Sequence, residues 1–150
     1  MSIEVCAPLT GKVIDLDDVP DPVFAGRIVG PGVAVDPTRE GDVEVVAPIG
    51  GTIVKFHPHA FVVASESGAG VLVHLGIDTV QLEGEGFTLH AEEGQQVKAG
   101  DRLVTWNPED IAAGGRSPIV PVITLDASED PELLVAVGEQ IEAGAPLLSW

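Results

Sequence analysis

Short runs in which Val, Ile and Leu alternate with polar residues recur along the chain. They are VEVVAP (43–48), GTIVKF (51–56), HAFVVAS (59–65), GVLVHLGI (70–77), DRLVTW (101–106), SPIVPVITL (117–125) and APLLSW (145–150). Gly, Pro, Asp or Ser bounds each run, as strand punctuation requires. An alternation of period two gives a strand one apolar face, and two sheets can bury such faces against each other. The pattern predicts an all-β fold of about a dozen strands, an antiparallel β-sandwich with at most one or two short helices. One helix is predicted, over Pro108–Ala113. Asn107 suits its N-cap, Pro108 its first helical position, and Gly114 and Gly115 stop it.

Two internal repeats organise these runs. AEEGQQVKAGDRLVTW (91–106) aligns without gaps on VAVGEQIEAGAPLLSW (135–150), with matches at Gly94/Gly138, Gln96/Gln140, Gly100/Gly144, Leu103/Leu147 and Trp106/Trp150. A weaker pair joins APLTGKVI (7–14) to APIGGTIV (47–54). One copy per half implies a sandwich built from two related halves, and two copies are too few for a solenoid. The alignment assigns Trp150 to the core, so the expectation is a complete single domain over residues 1–150.

The composition supports a real core: 150 residues, 45% hydrophobic, mean hydropathy +0.29. Seven basic residues against 24 acidic ones leave a net charge of −17, which repels a phosphate backbone and argues against nucleic acid as a partner. The same field attracts basic protein surfaces. No apolar run approaches the ~18 residues of a membrane span. MSIEVCAPLTG also lacks the basic start and apolar run of a secretory leader, so a cytoplasmic protein without direct membrane insertion is expected. A lone cysteine, Cys6, forms no intrachain disulfide and suits a reducing compartment.

The candidate chemistry lies in four histidines, His57, His59, His74 and His90. HAFVVAS and AGVLVH flank a tight turn around Glu66 and Ser67. A turn centred between those two residues pairs position i with 133 − i and sets His59 opposite His74. Directly paired residues hold their Cβ atoms about 5 Å apart. Two imidazoles at that distance can share a ligand, bind one metal or pass a proton, and two unrelated strand histidines fit the residues equally well.

The segment VLVHLGIDTVQLEGEGF (71–87) decides between these readings. With it stand DVPDPVFAGRIVGPGVAVDP (18–37), APIGGTIV (47–54), HAF (59–61), AEEGQQVKAGD (91–101) and SPIVPV (117–122). Over nearly its whole length the chain resembles the glucose-type enzyme IIA (EIIA) domains of the bacterial phosphoenolpyruvate-dependent sugar phosphotransferase system. The resemblance implies a barrel-sandwich with a duplicated hybrid motif, here as a free-standing EIIA domain. It implies that His74, in H-x-G-I-D-T, is the phosphorylated residue and that His59, in HAF, is its active-site partner. The histidine phosphocarrier HPr is then the donor. The acceptor is a cysteine of the EIIB domain of a sugar permease of the glucose and N-acetylglucosamine class, and regulatory targets are further possible partners.

On this reading a neutral His74 nitrogen attacks phosphorus to give a covalent intermediate. His59 donates an N–H to a phosphoryl oxygen, aided by backbone N–H groups of the Gly76–Thr79 turn. Val23, Phe24, Phe56 and Phe61 are expected to form an apolar rim that excludes water and docks partners, Phe61 lying two positions from His59 on one strand face. Asp21 and Asp78 are expected beside it, facing basic groups of the partner. No cofactor is expected beyond the transient phosphoryl group on His74.

The chain departs from the family where a threonine commonly precedes N-H-A-F. Here stands Phe56-His57-Pro58-His59, about two residues shorter, and His57 is expected to face solvent. His57, His59 and His74 lack a carboxylate at telling spacing, so no metal is expected; His90 is expected on an exposed strand. A swinging-arm cofactor carrier shares the G-x-x-V-x-x-G-x-x-L unit, but Lys12, Lys55 and Lys98 stand in no M-K-M or D-K-A context. Cys6 leads directly into Ala7-Pro8-Leu9-Thr10 of the repeat, which argues against a fused EIIB domain, and the short lead before it argues against a membrane-active tail.

Overall fold

Fourteen strands form among the residues that the computed structural model describes, 4–26, 30–39, 41–125 and 131–149, and the seven alternating runs supply seven of them. In chain order they are β1 (Glu4–Cys6), β2 (Gly11–Ile14), β3 (Gly32–Pro37), β4 (Val43–Val46), β5 (Gly51–His57), β6 (Ala60–Ala64) and β7 (Gly70–His74). Then follow β8 (Phe87–Leu89), β9 (Gln96–Val97), β10 (Arg102–Trp106), β11 (Val120–Leu125), β12 (Glu132–Leu133), β13 (Gln140–Ile141) and β14 (Pro146–Ser149). Two short helices, α1 (Pro22–Ala25) and α2 (Pro108–Ala113), and two 3-10 turns, Leu16–Asp18 and Thr79–Leu82, complete the described elements. All pairings are antiparallel. The large sheet runs β13-β2-β3-β11-β7-β6-β5-β9, and two smaller sheets run β1-β14-β12 and β4-β10-β8.

One core joins the three sheets. Val13, Val35, Val71, Val73 and Val122 of the large sheet pack with Val5 and Leu148 of one small sheet and Val45, Leu103 and Trp106 of the other. The large sheet is covered on its other face as well. There Ala34 and Ile123 form a second cluster with Ile77 and with Leu16, Val19 and Phe24 of the segment before β3, and Leu72 packs at its margin. This outer cluster, rather than the main core, carries the candidate site.

The repeats appear as matching hydrogen bonds. Gly94 N donates to Ile53 O and Gly138 N to Val13 O, each at 2.7 Å. Gly100 N donates to Ala47 O and Gly144 N to Ala7 O, each at 2.9 Å. Thus 47–54 folds with 91–106, and 7–14 folds with the second copy, so each half is built from one weak and one strong repeat. The halves then bond reciprocally: Cys6 N donates to Pro48 O at 2.9 Å and Val46 N to Pro8 O at 2.7 Å. Trp106 is buried at 1% exposure with Phe87 stacked on it at 5.9 Å. Trp150, its expected counterpart, lies outside the described residues.

α2 forms where predicted, with the Asn107 side chain accepting from Asp110 N at 3.0 Å. α1 obeys the same rule, since Asp21 accepts from Val23 N at 2.9 Å ahead of Pro22. Sequence reading passed over it because four residues are too few to show a helical period.

The β6–β7 hairpin corrects the predicted register. Ala60 pairs with His74, Phe61 with Val73 and Ala64 with Gly70, one residue away from the expected His59–His74 pairing. The cause is a three-residue loop, Glu66-Ser67-Gly68, in place of a two-residue turn. Gly68 takes φ +91°, Gly68 N donates to Ser65 O at 3.0 Å, and Ser65 N donates to Ala69 O at 2.8 Å. Such loops end on a left-handed residue that glycine supplies without strain.

The duplication has a thermodynamic consequence. Leu103 and Leu147 occupy equivalent positions and are both fully buried. Leu103→Ala and Leu147→Ala are expected to destabilise the protein by about 3 kcal/mol each, as buried leucine truncations do. Denaturant unfolding checks this, and costs differing by more than about 2 kcal/mol would show that the halves are not energetically equivalent.

Candidate functional site

The period-two alternation of β7 sends Val71 and Val73 into the core and Leu72 and His74 to the outer face. His74 is the last strand residue, so its side chain stands where the sheet ends and the segment before β3 crosses. The Asp21 cap starts α1, α1 presents Phe24, and the Phe24 ring sits 5.2 Å from that of His74 at 57°.

The chain after His74 turns sharply and is tied at each step. Leu75 N donates to His59 O at 2.6 Å, Ile77 N to Ser117 O at 2.8 Å, and the buried Thr79 hydroxyl to Leu75 O at 2.6 Å. Gly76 takes φ +82°, and a Cβ there would stand 2.6 Å from Thr79 Cγ2 and 3.0 Å from Ser117 O. Asp78 follows in the left-handed region at φ +62°. This turn delivers the Gly76 carbonyl to His74 Nδ1 at 2.5 Å. A carbonyl oxygen only accepts, so Nδ1 carries the ring proton and Nε2 keeps its lone pair.

Pro58 and His59 form the two-residue turn between β5 and β6. His59 therefore reaches His74 from a turn and not from a paired strand position. Its ring lies 5.2 Å from that of His74 at 72°. The His57 ring is exposed, as expected, and also stacks on that of His59 at 5.9 Å and 23°.

Burial lowers the pKa of His74 from the usual histidine value of 6.5, opposed by the Gly76 carbonyl and by the charges of Asp21 and Asp78. His59 is lowered too, by burial first and then by His74 and His57. Both rings are neutral at pH 7. Asp21 and Asp78 thus stand within electrostatic reach of His74, as expected.

The apolar residues divide. Val23 is 41% exposed, while Phe24 is buried against His74. Phe61 is a correction: at 1% exposure it belongs to the core and offers no docking surface. The register explains this, because pairing with Val73 instead of Leu72 turns Phe61 inward. Phe56 is half-buried, packs on the core and meets Phe61 edge-on at 6.0 Å. Val80, 57% exposed on the turn after Asp78, was missed; its one signal is an apolar residue within the short run Thr79-Val80-Gln81. His90 is exposed and bonds Thr105 Oγ1 at 2.7 Å. Among the described residues no group of three or more His, Cys, Asp or Glu is arranged to hold a metal, and no helix is long and apolar enough to cross a membrane.

The sequence model of the family described as "phosphoenolpyruvate-dependent sugar phosphotransferase system, EIIA 1" matches residues 3–130. The PTS system glucose-specific EIIA component of Bacillus cereus is 47% identical over 137 residues, covering 89% of this chain and 81% of that protein. The PTS system N-acetylglucosamine-specific EIICBA component of Escherichia coli K12 is 45% identical over 143 residues, covering 94% of this chain and 22% of that one. Among solved structures, glucose permease IIA from Mycoplasma capricolum superposes with a TM-score of 0.88 at 33% identity, covering 99% of this chain and 96% of that one.

The lowered histidine pKa values link stability to pH. Below about 6.5 the unfolded chain binds protons that the folded His74 and His59 resist, so stability is full above that pH and declines as pH falls toward the folded values. Denaturant unfolding between about pH 7.5 and 5.5 is expected to show this decline, with a smaller slope in His74→Gln. Equal slopes in both proteins would contradict the burial of a neutral His74.

Proposed function

The chain belongs to the EIIA 1 family of the phosphoenolpyruvate-dependent sugar phosphotransferase system, and from that premise we propose that His74 Nε2 is the atom that carries the phosphoryl group. The donor in this reading is the phosphohistidine of HPr. The Nε2 lone pair forms the new N–P bond as the donor's N–P bond breaks and its electron pair returns to the donor nitrogen. In the second step a cysteine thiolate of an EIIB domain attacks phosphorus, and the His74 N–P bond breaks with its pair returning to Nε2. One transfer between proteins is thereby divided into two in-line displacements.

The single observation that carries the proposal is the hydrogen bond from His74 Nδ1 to Gly76 O. It selects the tautomer with a free Nε2 and holds the ring still, and positioning is most of what a loose phosphoryl-transfer transition state needs. The lowered pKa keeps His74 unprotonated and nucleophilic at neutral pH. His59, half-buried at 5.2 Å between ring centroids, donates an N–H to a phosphoryl oxygen. The incoming dianion raises the proton affinity of His59, which answers the added charge. Phe24 shields one side of the imidazole from water.

Relatives in which the EIIA region shares a chain with EIIB and EIIC, such as the N-acetylglucosamine-specific protein, support an EIIB acceptor. Glucose and N-acetylglucosamine permeases are the corresponding class of transporter. A buried, unpaired Cys6 thiol suits the cytoplasm, where HPr resides. Val23, next to the Phe24 that packs on His74, offers exposed apolar contact, and Asp21 and Asp78 present carboxylates to basic partners.

Incubation with phosphoenolpyruvate, enzyme I and HPr, followed by intact-mass analysis, is expected to give one acid-labile, base-stable phosphoryl adduct on the wild type and none on His74→Ala. His59→Gln is expected to load but to pass the group to EIIB about a hundredfold more slowly, the scale of losing one oxyanion donor. An unmodified wild type with active upstream proteins would overturn the proposal. With a net charge of −17, transfer is expected to slow as salt rises, and rates flat in ionic strength would remove the steering component.

A further inference from the structure

The chain has few cations, and most described arginines are neutralised. Arg39 Nη1 lies 2.9 Å from Asp36 Oδ1, and Arg102 Nη1 lies 3.2 Å from Glu44 Oε1. Arg116 is different. Among the described residues no carboxylate pairs with it; Nη2 donates to the neutral Gln81 Oε1 at 3.1 Å, and Nε is shielded without a partner. In a protein with 24 acidic residues an unpaired guanidinium calls for an explanation.

Arg116 lines an open pocket of about 500 Å³ together with Pro20, Ile77, Asp78, Gln81 and Ser117. The pocket shares its walls with the phosphoryl-acceptor site. Asp78 faces it and also acts on His74 electrostatically, Ile77 N is bonded to Ser117 O, and Pro20 precedes the Asp21 cap of the helix that presents Phe24. A protein that engages Asp78 while seated over His74 meets the edge of this pocket.

We propose that the Arg116 pocket is a docking socket for one carboxylate side chain of the protein that exchanges the phosphoryl group with His74. The inference rests on the phosphocarrier reading. A partner's acidic residue is repelled over most of a surface with net charge −17, and a guanidinium without a carboxylate offers it a charge-assisted hydrogen bond. Asp21 and Asp78 ask for basic groups, and Arg116, lining one pocket with Asp78, asks for an acidic one. That order of charges has one correct orientation and penalises the reverse, so it fixes register as well as adding attraction. Gln81 holds the guanidinium ready without neutralising it.

The test compares phosphoryl exchange with phospho-HPr and with an EIIB domain in wild type, Arg116→Gln, Arg116→Glu and Gly114→Gln. Gly114 also lines the pocket and has φ −79°, with room for a Cβ at 3.4 Å from Asp110 O, so its substitution fills the socket and leaves Arg116 in place. The expected result is a loss of about fivefold in kcat/KM for Arg116→Gln and for Gly114→Gln, and a larger loss for Arg116→Glu, toward at least one partner. The loss lies in KM, the rate at saturating partner stays unchanged, and Arg116→Lys recovers part of it. Values within twofold of wild type toward both partners in all variants would overturn the socket. Lowered thermal stability with unchanged KM would make Arg116 merely structural and would overturn it equally. A wild type that exchanges no phosphoryl group would overturn the phosphocarrier reading itself, a result distinct from either.

Discussion

The Gly76 carbonyl held against His74 Nδ1 is the constraint from which the chemistry of this protein follows. A free imidazole divides its proton between two nitrogens and turns about its side-chain bonds. Here one short hydrogen bond removes both freedoms. The carbonyl reaches its place because the chain reverses immediately after β7, with glycine in a left-handed conformation and Thr79 Cγ2 and the Ser117 carbonyl filling the space a Cβ would need. Backbone bonds from Leu75 to His59 and from Ile77 to Ser117 make the same turn the meeting point of the β5–β6 turn, β7 and the loop before β11. The site is thus a consequence of strand order in the large sheet.

Electrostatics at the site run against the charge of the whole molecule. A net charge of −17 favours protonated histidines, and Asp21 and Asp78 act in that direction on His74. Burial acts oppositely and dominates for both His59 and His74. Desolvation is local, whereas exposed charges beyond about 8 Å are screened at physiological salt, so the nearer effect wins. An acidic surface attracts basic protein surfaces from a distance while His74 stays neutral, so the two effects coexist in one molecule.

Much of this was legible in the sequence. The alternating runs placed seven of the fourteen strands described, each within three residues, and the repeats anticipated a duplicated fold whose equivalent glycines make equivalent hydrogen bonds. His59 and His74 come together as expected, but by another route. A left-handed Gly68 lengthened the hairpin loop by one residue, and period-two geometry then turned Phe61 from the rim into the core. Such a slip is invisible to composition, because Glu66-Ser67-Gly68 suits either loop length. The stacking of His57 on His59 and the unpaired Arg116 were also out of reach, since they join residues whose approach depends on turn geometry and on strands distant in sequence.

The most direct test of this account is the tautomer of His74 in the unphosphorylated protein, read from long-range nitrogen–proton NMR correlations of its imidazole ring at neutral pH. The expected spectrum shows a neutral ring with the proton on Nδ1 and a bare Nε2, unchanged in His59→Gln. A proton on Nε2, or a doubly protonated ring at pH 7, would contradict the claim that the turn after β7 prepares Nε2 to carry the phosphoryl group.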